Sequence, residues 1–138
     1  GHIVNISSMA GLVGMFGYSS YCTTKYALVG FTECLRSELK RYNIHVTLVC
    51  PPEVKTPFIE KEAAALPHEA RVVKSFAGLL TPEKVARAIV RGVKSWKFLV
   101  VPGMMAKSLY FWHRASNGFL TRMPSDWIVK LVAWRSGR

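Results

Sequence analysis

The chain has 138 residues, half of them hydrophobic, with 19 Lys and Arg against 8 Asp and Glu for a formal net charge of +11. That length is one domain's worth and that composition supports a packed core, which excludes a disordered chain. No apolar run approaches the ~20 residues of a membrane-spanning helix, no long repeat is visible, and no two of the four histidines stand at i and i+4, so no metal site is expected.

In chain order, "HIVNIS" near the start reads as a buried strand, and with glycine as residue 1 the chain is expected to begin mid-domain. Gly11 to Gly17 is a flexible connection. From about Ser20 to Tyr42 the apolar positions Ala27, Leu28, Phe31, Cys34, Leu35 and Leu39 recur at helical spacing, and Asn43 is a stop signal. "IHVTLVC", residues 44 to 50, is a second β-branched run, broken by "PPEVKTP" because proline lacks a ladder donor. Residues 58 to 77 suggest two short helices. Thr81, Pro82 and Glu83 then give a cap, a first-turn proline and a first-turn acid, followed by an apolar stripe of Val85, Ala86, Ile89, Val90 and Val93. "KFLVV", 97 to 101, is a third strand ended by Pro102 and Gly103. Alternating strands and helices predict a parallel α/β sheet, and three strands are too few to complete one.

Residues 104 to 138 are different in kind, with Trp112, Trp127, Trp134, Tyr110, Phe111 and Phe119 interleaved with Lys107, Arg114, Arg122, Lys130 and Arg135. They read as an amphipathic helical extension, with Trp127, Ile128, Leu131 and Val132 on one apolar face, suited either to core packing or to a membrane interface. The charge is lopsided as well: residues 1–60 hold five Lys/Arg and four Asp/Glu, residues 61–138 fourteen and four. An anionic partner of the second half is therefore expected. Nucleic acid is disfavoured, because no helix is expected to gather its basic residues on one face and no recognition motif is present. Cys22, Cys34 and Cys50 are odd in number, lack a CxxC pair and lie among apolar or small residues, so they read as reduced, buried thiols of a cytosolic protein.

The chemistry concentrates in "ISSMAGLVGMFGYSSYCTTKYALVG", residues 6 to 30. Ser8 falls at the C-terminal end of a buried parallel strand, where α/β sheets usually bind ligands. Tyr21 and Lys25 stand one helical turn apart, so a phenol and an ammonium can share one crevice. A nearby cation favours the phenolate form of a tyrosine, and a serine hydroxyl can hold the same substrate oxygen. Alone, a Tyr-x-x-x-Lys pair is equally a helix-start aromatic with a lysine lying along it.

"IVNISSMAG", Tyr21 and Lys25, and "VTLVCPPEVKTP", in that order, resemble the catalytic half of the short-chain dehydrogenases/reductases over residues 1 to about 103. The resemblance implies the C-terminal half of a Rossmann-like doubly wound parallel sheet, residues 1–103, with residues 104–138 as the extension. It implies that Ser8 orients a carbonyl oxygen, that Tyr21 is the general acid or base, and that Lys25 assists it and holds the nicotinamide ribose. Pro51, Val54 and Thr56 match the family's cofactor-contacting positions, and the implied cofactor is NADP or NAD, with NADP favoured. The usual Pro-Gly of that turn is Pro51-Pro52 here. This double proline resembles the 3-ketodihydrosphingosine reductase branch, which implies a long-chain lipid ketone as substrate. The family's phosphate loop, its cofactor-selecting residue and its relay asparagine are expected to precede residue 1. The expectation is an oxidoreductase passing a hydride between a nicotinamide and a carbonyl or secondary alcohol, the fragment itself being inactive. A hydroxysteroid-type ketone reductase and a noncatalytic fragment binding anionic membranes are the alternatives. Peripheral membrane contact and self-association stay open, the latter with no partner residues assigned.

Overall fold

The computed structural model describes residues 1–57 and 78–135. The two helices expected over 58–77 fall outside the described residues. Strand β1 (His2–Ile6) leads through a 3-10 turn (Met9–Gly11) into helix α1 (Ser19–Leu39), and a second 3-10 turn (Lys40–Tyr42) precedes strand β2 (His45–Val49). Short strands β3 (Glu53–Val54) and β4 (Leu79–Leu80), helix α2 (Pro82–Lys94), strand β5 (Leu99–Val100) and helices α3 (Met104–Ala115) and α4 (Phe119–Arg135) follow. β1, β2 and β5 form a parallel sheet in the order β1-β2-β5, with His2 opposite His45 and Ile6 opposite Val49. This is the partial Rossmann-like α/β arrangement that alternating strands and helices predict. The parallel pair β3–β4 is additional, and two-residue strands are too short for periodicity to reveal.

Two polar links set the register. The Thr47 hydroxyl donates to the carbonyl of Lys97 at 2.8 Å and lies 2.8 Å from Nε2 of His2, so β1, β2 and the approach to β5 are tied at one level. Thr32 of α1 is fully buried, accepts from Asn5 Nδ2 at 3.0 Å and donates back to Leu28 O at 2.6 Å. That contact turns α1 away from its expected orientation. The face pressed on the sheet centres on Cys22, Val29 and Thr32, whereas Phe31 is 58% exposed and Cys34 is exposed rather than buried. Small and polar residues fit the close helix–strand approach; a phenylalanine does not. At Asn43 the left-handed conformation (φ 53°) ends the helical run, as the sequence predicts.

α2 obeys a narrower stripe than its apolar residues suggest. Val85 and Gly92 are buried and Ile89 and Val93 half-buried, while Ala86 and Val90, about 100° further round, face outward. Thr81 occupies the N-cap, where its carbonyl accepts from Lys84 N and Val85 N while its side chain makes no bond to a helix N–H. The Glu83 carboxyl is held below its ordinary range by its own backbone N–H and by the Thr81 hydroxyl. Gly92 packs against the Val100 side chain so closely that no Cβ fits, which seats α2 directly on β5. The main core gathers Met9, Val13, Leu48, Cys50, Val101 and Ala106, so α3 contributes its buried Ala106 to the same core as the sheet. Gly103, at φ +86° beside Leu80, makes the turn into α3 that an L side chain rarely adopts.

Candidate active site

The C-terminal ends of β1 and β2 stay together beyond the sheet: Ser7 N donates to Val49 O at 2.8 Å and Met9 N to Pro51 O at 2.9 Å. Ser8 is therefore held in extended backbone (φ −160°, ψ 164°) at the sheet edge. Its Oγ accepts from Ala10 N at 3.2 Å, which orients the side chain and leaves the hydroxyl proton free to be donated outward. The short 3-10 turn it caps is closed by Gly11 N donating to Ser8 O at 2.9 Å.

Tyr21 and Lys25 lie on the first turns of α1, with the Lys25 ammonium 5.5 Å from the centre of the Tyr21 ring. Tyr18, which is buried, meets the Tyr21 ring edge-on at 5.9 Å and supports it from behind. Tyr21 remains 38% exposed. Ser8 and the α1 pair are brought to the same end of the sheet by residues that sequence reasoning passed over. The buried Ser7 hydroxyl donates to the Lys25 carbonyl at 3.0 Å, pinning α1 to the end of β1. Gly11 allows that approach, since a Cβ there would lie 2.7 Å from both the Lys25 carbonyl oxygen and the Ser7 Oγ. The only sequence signal for either was the run of small residues around them.

Pro51 and Pro52 are buried at the end of β2, Val54 lies in β3 opposite Leu80, and Thr56 is half-buried. Of these, Pro51 is tied to the Ser8 segment, through the bond from Met9 N to its carbonyl. A nicotinamide cofactor fits the donor set, because an ammonium and hydroxyls suit ribose and amide oxygens. Among the described residues no cluster of His, Cys, Asp and Glu has metal-binding geometry.

Cys50 lies beneath this edge with no exposed surface. Burial pushes its thiol up to about 12, against smaller lowering effects from the Ser8 backbone N–H, the Ser7 hydroxyl and Lys25. The folded chain thus keeps its proton while the unfolded chain loses it above about pH 9, so this contribution to stability is full below pH 9 and lost as pH rises toward 12. Denaturant unfolding of the protein between these limits should show a decline of up to about 1.4 kcal/mol per pH unit from this group. Cys50→Ala should flatten the profile by that slope; an unchanged profile would place the titration elsewhere.

Past Ser8 the chain runs into an apolar pocket of about 250 Å³ between the Met9–Met15 segment and helices α3 and α4, with Met9, Val13, Met15, Leu109, Leu120 and Ile128 in its lining. On the outer surface of the same helices Phe111, Trp112, Phe119, Trp127 and Trp134 are exposed, Trp134 by 80%. No helix among the described residues is long and apolar enough to cross a membrane.

The family model described as short chain dehydrogenase matches residues 1–66. The chain belongs to the short-chain dehydrogenase/reductase family. It is 45% identical over 95 residues to 3-ketodihydrosphingosine reductase of Dictyostelium discoideum, covering 69% of this chain and 28% of that protein. Over 140 residues it is 34% identical to SadH of Mycobacterium tuberculosis, which is named only as an oxidoreductase, covering 97% of this chain and 51% of that protein. A Burkholderia cenocepacia short chain dehydrogenase in complex with NADP has the same fold, with a TM-score of 0.72 at 20% identity over 89% of this chain and 46% of that one. The chain thus spans about half, or less, of the length of the relatives it matches.

Proposed function

We propose that this chain carries the catalytic half of an NAD(P)-dependent reductase that acts on a long-chain lipid ketone. The observation that carries the reading is Ser8, Tyr21 and Lys25 at the C-terminal edge of a parallel sheet, with an apolar pocket whose lining begins at Met9, the residue after Ser8. Similarity to a 3-ketodihydrosphingosine reductase supports the lipid ketone, and similarity to an NADP-bound dehydrogenase supports NADP, with NAD as the alternative carrier.

In this reading the Ser8 hydroxyl donates to the carbonyl oxygen of the substrate and fixes it beside α1. Tyr21 gives its phenolic proton to that oxygen, and the Lys25 ammonium stabilises the phenolate left behind. Lys25 and Thr56 hold the cofactor together with Pro51 and Val54. The nicotinamide, when bound, supplies the hydride. The pocket past Ser8 receives the apolar chain, and the exposed aromatics of α3 and α4, flanked by Arg114 and Lys130, rest on the lipid surface from which that chain is drawn.

The test is reduction by the full protein, with NADPH, of 3-ketodihydrosphingosine dispersed in vesicles, compared with a short soluble ketone and a hydroxysteroid-type ketone. The long-chain ketone should be preferred. Replacing Trp127 and Trp134 by Ser should lower turnover of the vesicle-borne substrate several-fold while sparing the soluble one. A steroid ketone turned over faster, or equal loss on both substrates, would overturn the lipid assignment or the surface role respectively.

A further inference from the structure

Away from Ser8, Tyr21 and Lys25, an open groove of about 590 Å³ lies between α2 and β5. Its walls carry Lys84, Arg87, Arg91, Lys97 and Lys107 and no carboxylate. Its floor is the chain from Leu99 to Gly103, and β5 has no strand on its other side among the described residues.

Lys84, Arg87 and Arg91 stand at i, i+3 and i+7, so they form one row down α2. This corrects the expectation that no helix gathers its basic residues on one face. Like charges at that spacing destabilise a helix, and the row has little internal relief. Glu83 interacts with Arg87 at the first turn but does not line the groove. The Arg91 Nε donates to the Arg87 carbonyl at 3.3 Å, which lays its guanidinium along the helix. The close seat of Gly92 on Val100 fixes the height of the row above the strand. Five cations therefore face one cavity on a rigid support, an arrangement whose repulsion an anion with several charges would relieve.

We propose that this groove binds a phosphoryl group, either on a lipid headgroup or on a small soluble phosphate. Two arginines one turn apart can grip phosphate oxygens bidentately, while Lys84, Lys97 and Lys107 add charge without directional demand. The site is too short for a nucleic-acid footprint, which needs a longer basic track.

The test is isothermal titration of the full protein, with nicotinamide cofactor saturating so that any cofactor phosphate site is filled. The probes are inorganic pyrophosphate and phosphatidylcholine vesicles with and without phosphatidic acid. At least one phosphate probe should bind, and the double variant Arg87→Gln, Arg91→Gln should weaken it by roughly thirtyfold, about fivefold for each charge removed. Both positions are exposed, and Gln is a good helix former, so melting should be unchanged. Lys40→Gln with Arg41→Gln removes equal charge elsewhere and should leave binding within about twofold. Pyrophosphate binding lost in the α2 variant assigns the soluble source; a response confined to phosphatidic acid vesicles assigns the headgroup. Silence of both probes, equal weakening by the two double variants, or binding of a short DNA duplex in their place overturns the proposal.

Discussion

Tyr21→Phe in the full protein should lower ketone turnover by ~10² to 10⁴-fold, the range a lost general acid typically costs. The substitution is close to isosteric where packing is concerned. Phe keeps the edge-on contact with Tyr18 at 5.9 Å and the ring on which the Lys25 ammonium rests at 5.5 Å. What it removes is a single hydroxyl at a partly exposed position, so melting temperature and nicotinamide affinity should both be retained. Steady-state turnover, cofactor titration and a thermal melt on the same preparation separate these effects. Turnover that fell less than tenfold would remove Tyr21 from the chemistry, and a matching loss of melting temperature would make its role structural.

Gly11→Ala should damage both stability and activity, although residue 11 carries no functional group. The added methyl would sit 2.7 Å from the Lys25 carbonyl oxygen and from Ser7 Oγ, two atoms already joined by a 3.0 Å hydrogen bond. The Lys25 carbonyl is backbone and cannot swing aside, and rotating the Ser7 hydroxyl away gives up its bond. Relief requires moving α1 away from β1 or breaking that bond, at about 2–4 kcal/mol from overpacking and the lost bond together. A shift of ~1 Å between Ser8 and the Tyr21–Lys25 pair is enough to cost ~10²-fold in turnover. Gly14→Ala is the matched control, since nothing lies within 4 Å of a Cβ there. Chemical denaturation and turnover of both variants check the expectation; equal behaviour of the two would show that α1 is not held by this contact.

The polar groove on α2 shows where periodicity misleads. Reading Ala86 and Val90 as part of an apolar stripe hid the row of Lys84, Arg87 and Arg91, because one helix residue of angular error moves a face by about 100°. Cys34 and Phe31 fail for the same kind of reason: α1 turns its small and polar side, Cys22 and Thr32, toward the sheet. Which of two apolar-looking faces is buried is decided by the partner surface, and a single helix does not contain that information.

The sequence by itself determined the alternation of strands and helices, the stop at Asn43 of the helical run that α1 begins, and the spacing that marks Ser8, Tyr21 and Lys25, since all of these depend on neighbours within a turn or on dihedral preference. Only the tertiary structure decided that Ser7 and Gly11 clamp α1 against β1, that β3 pairs with β4, and that five basic side chains from α2 onward converge on one groove. Each of these joins residues far apart in the chain through steric fit, burial or charge, and such contacts come into being only when the backbone has brought the segments together.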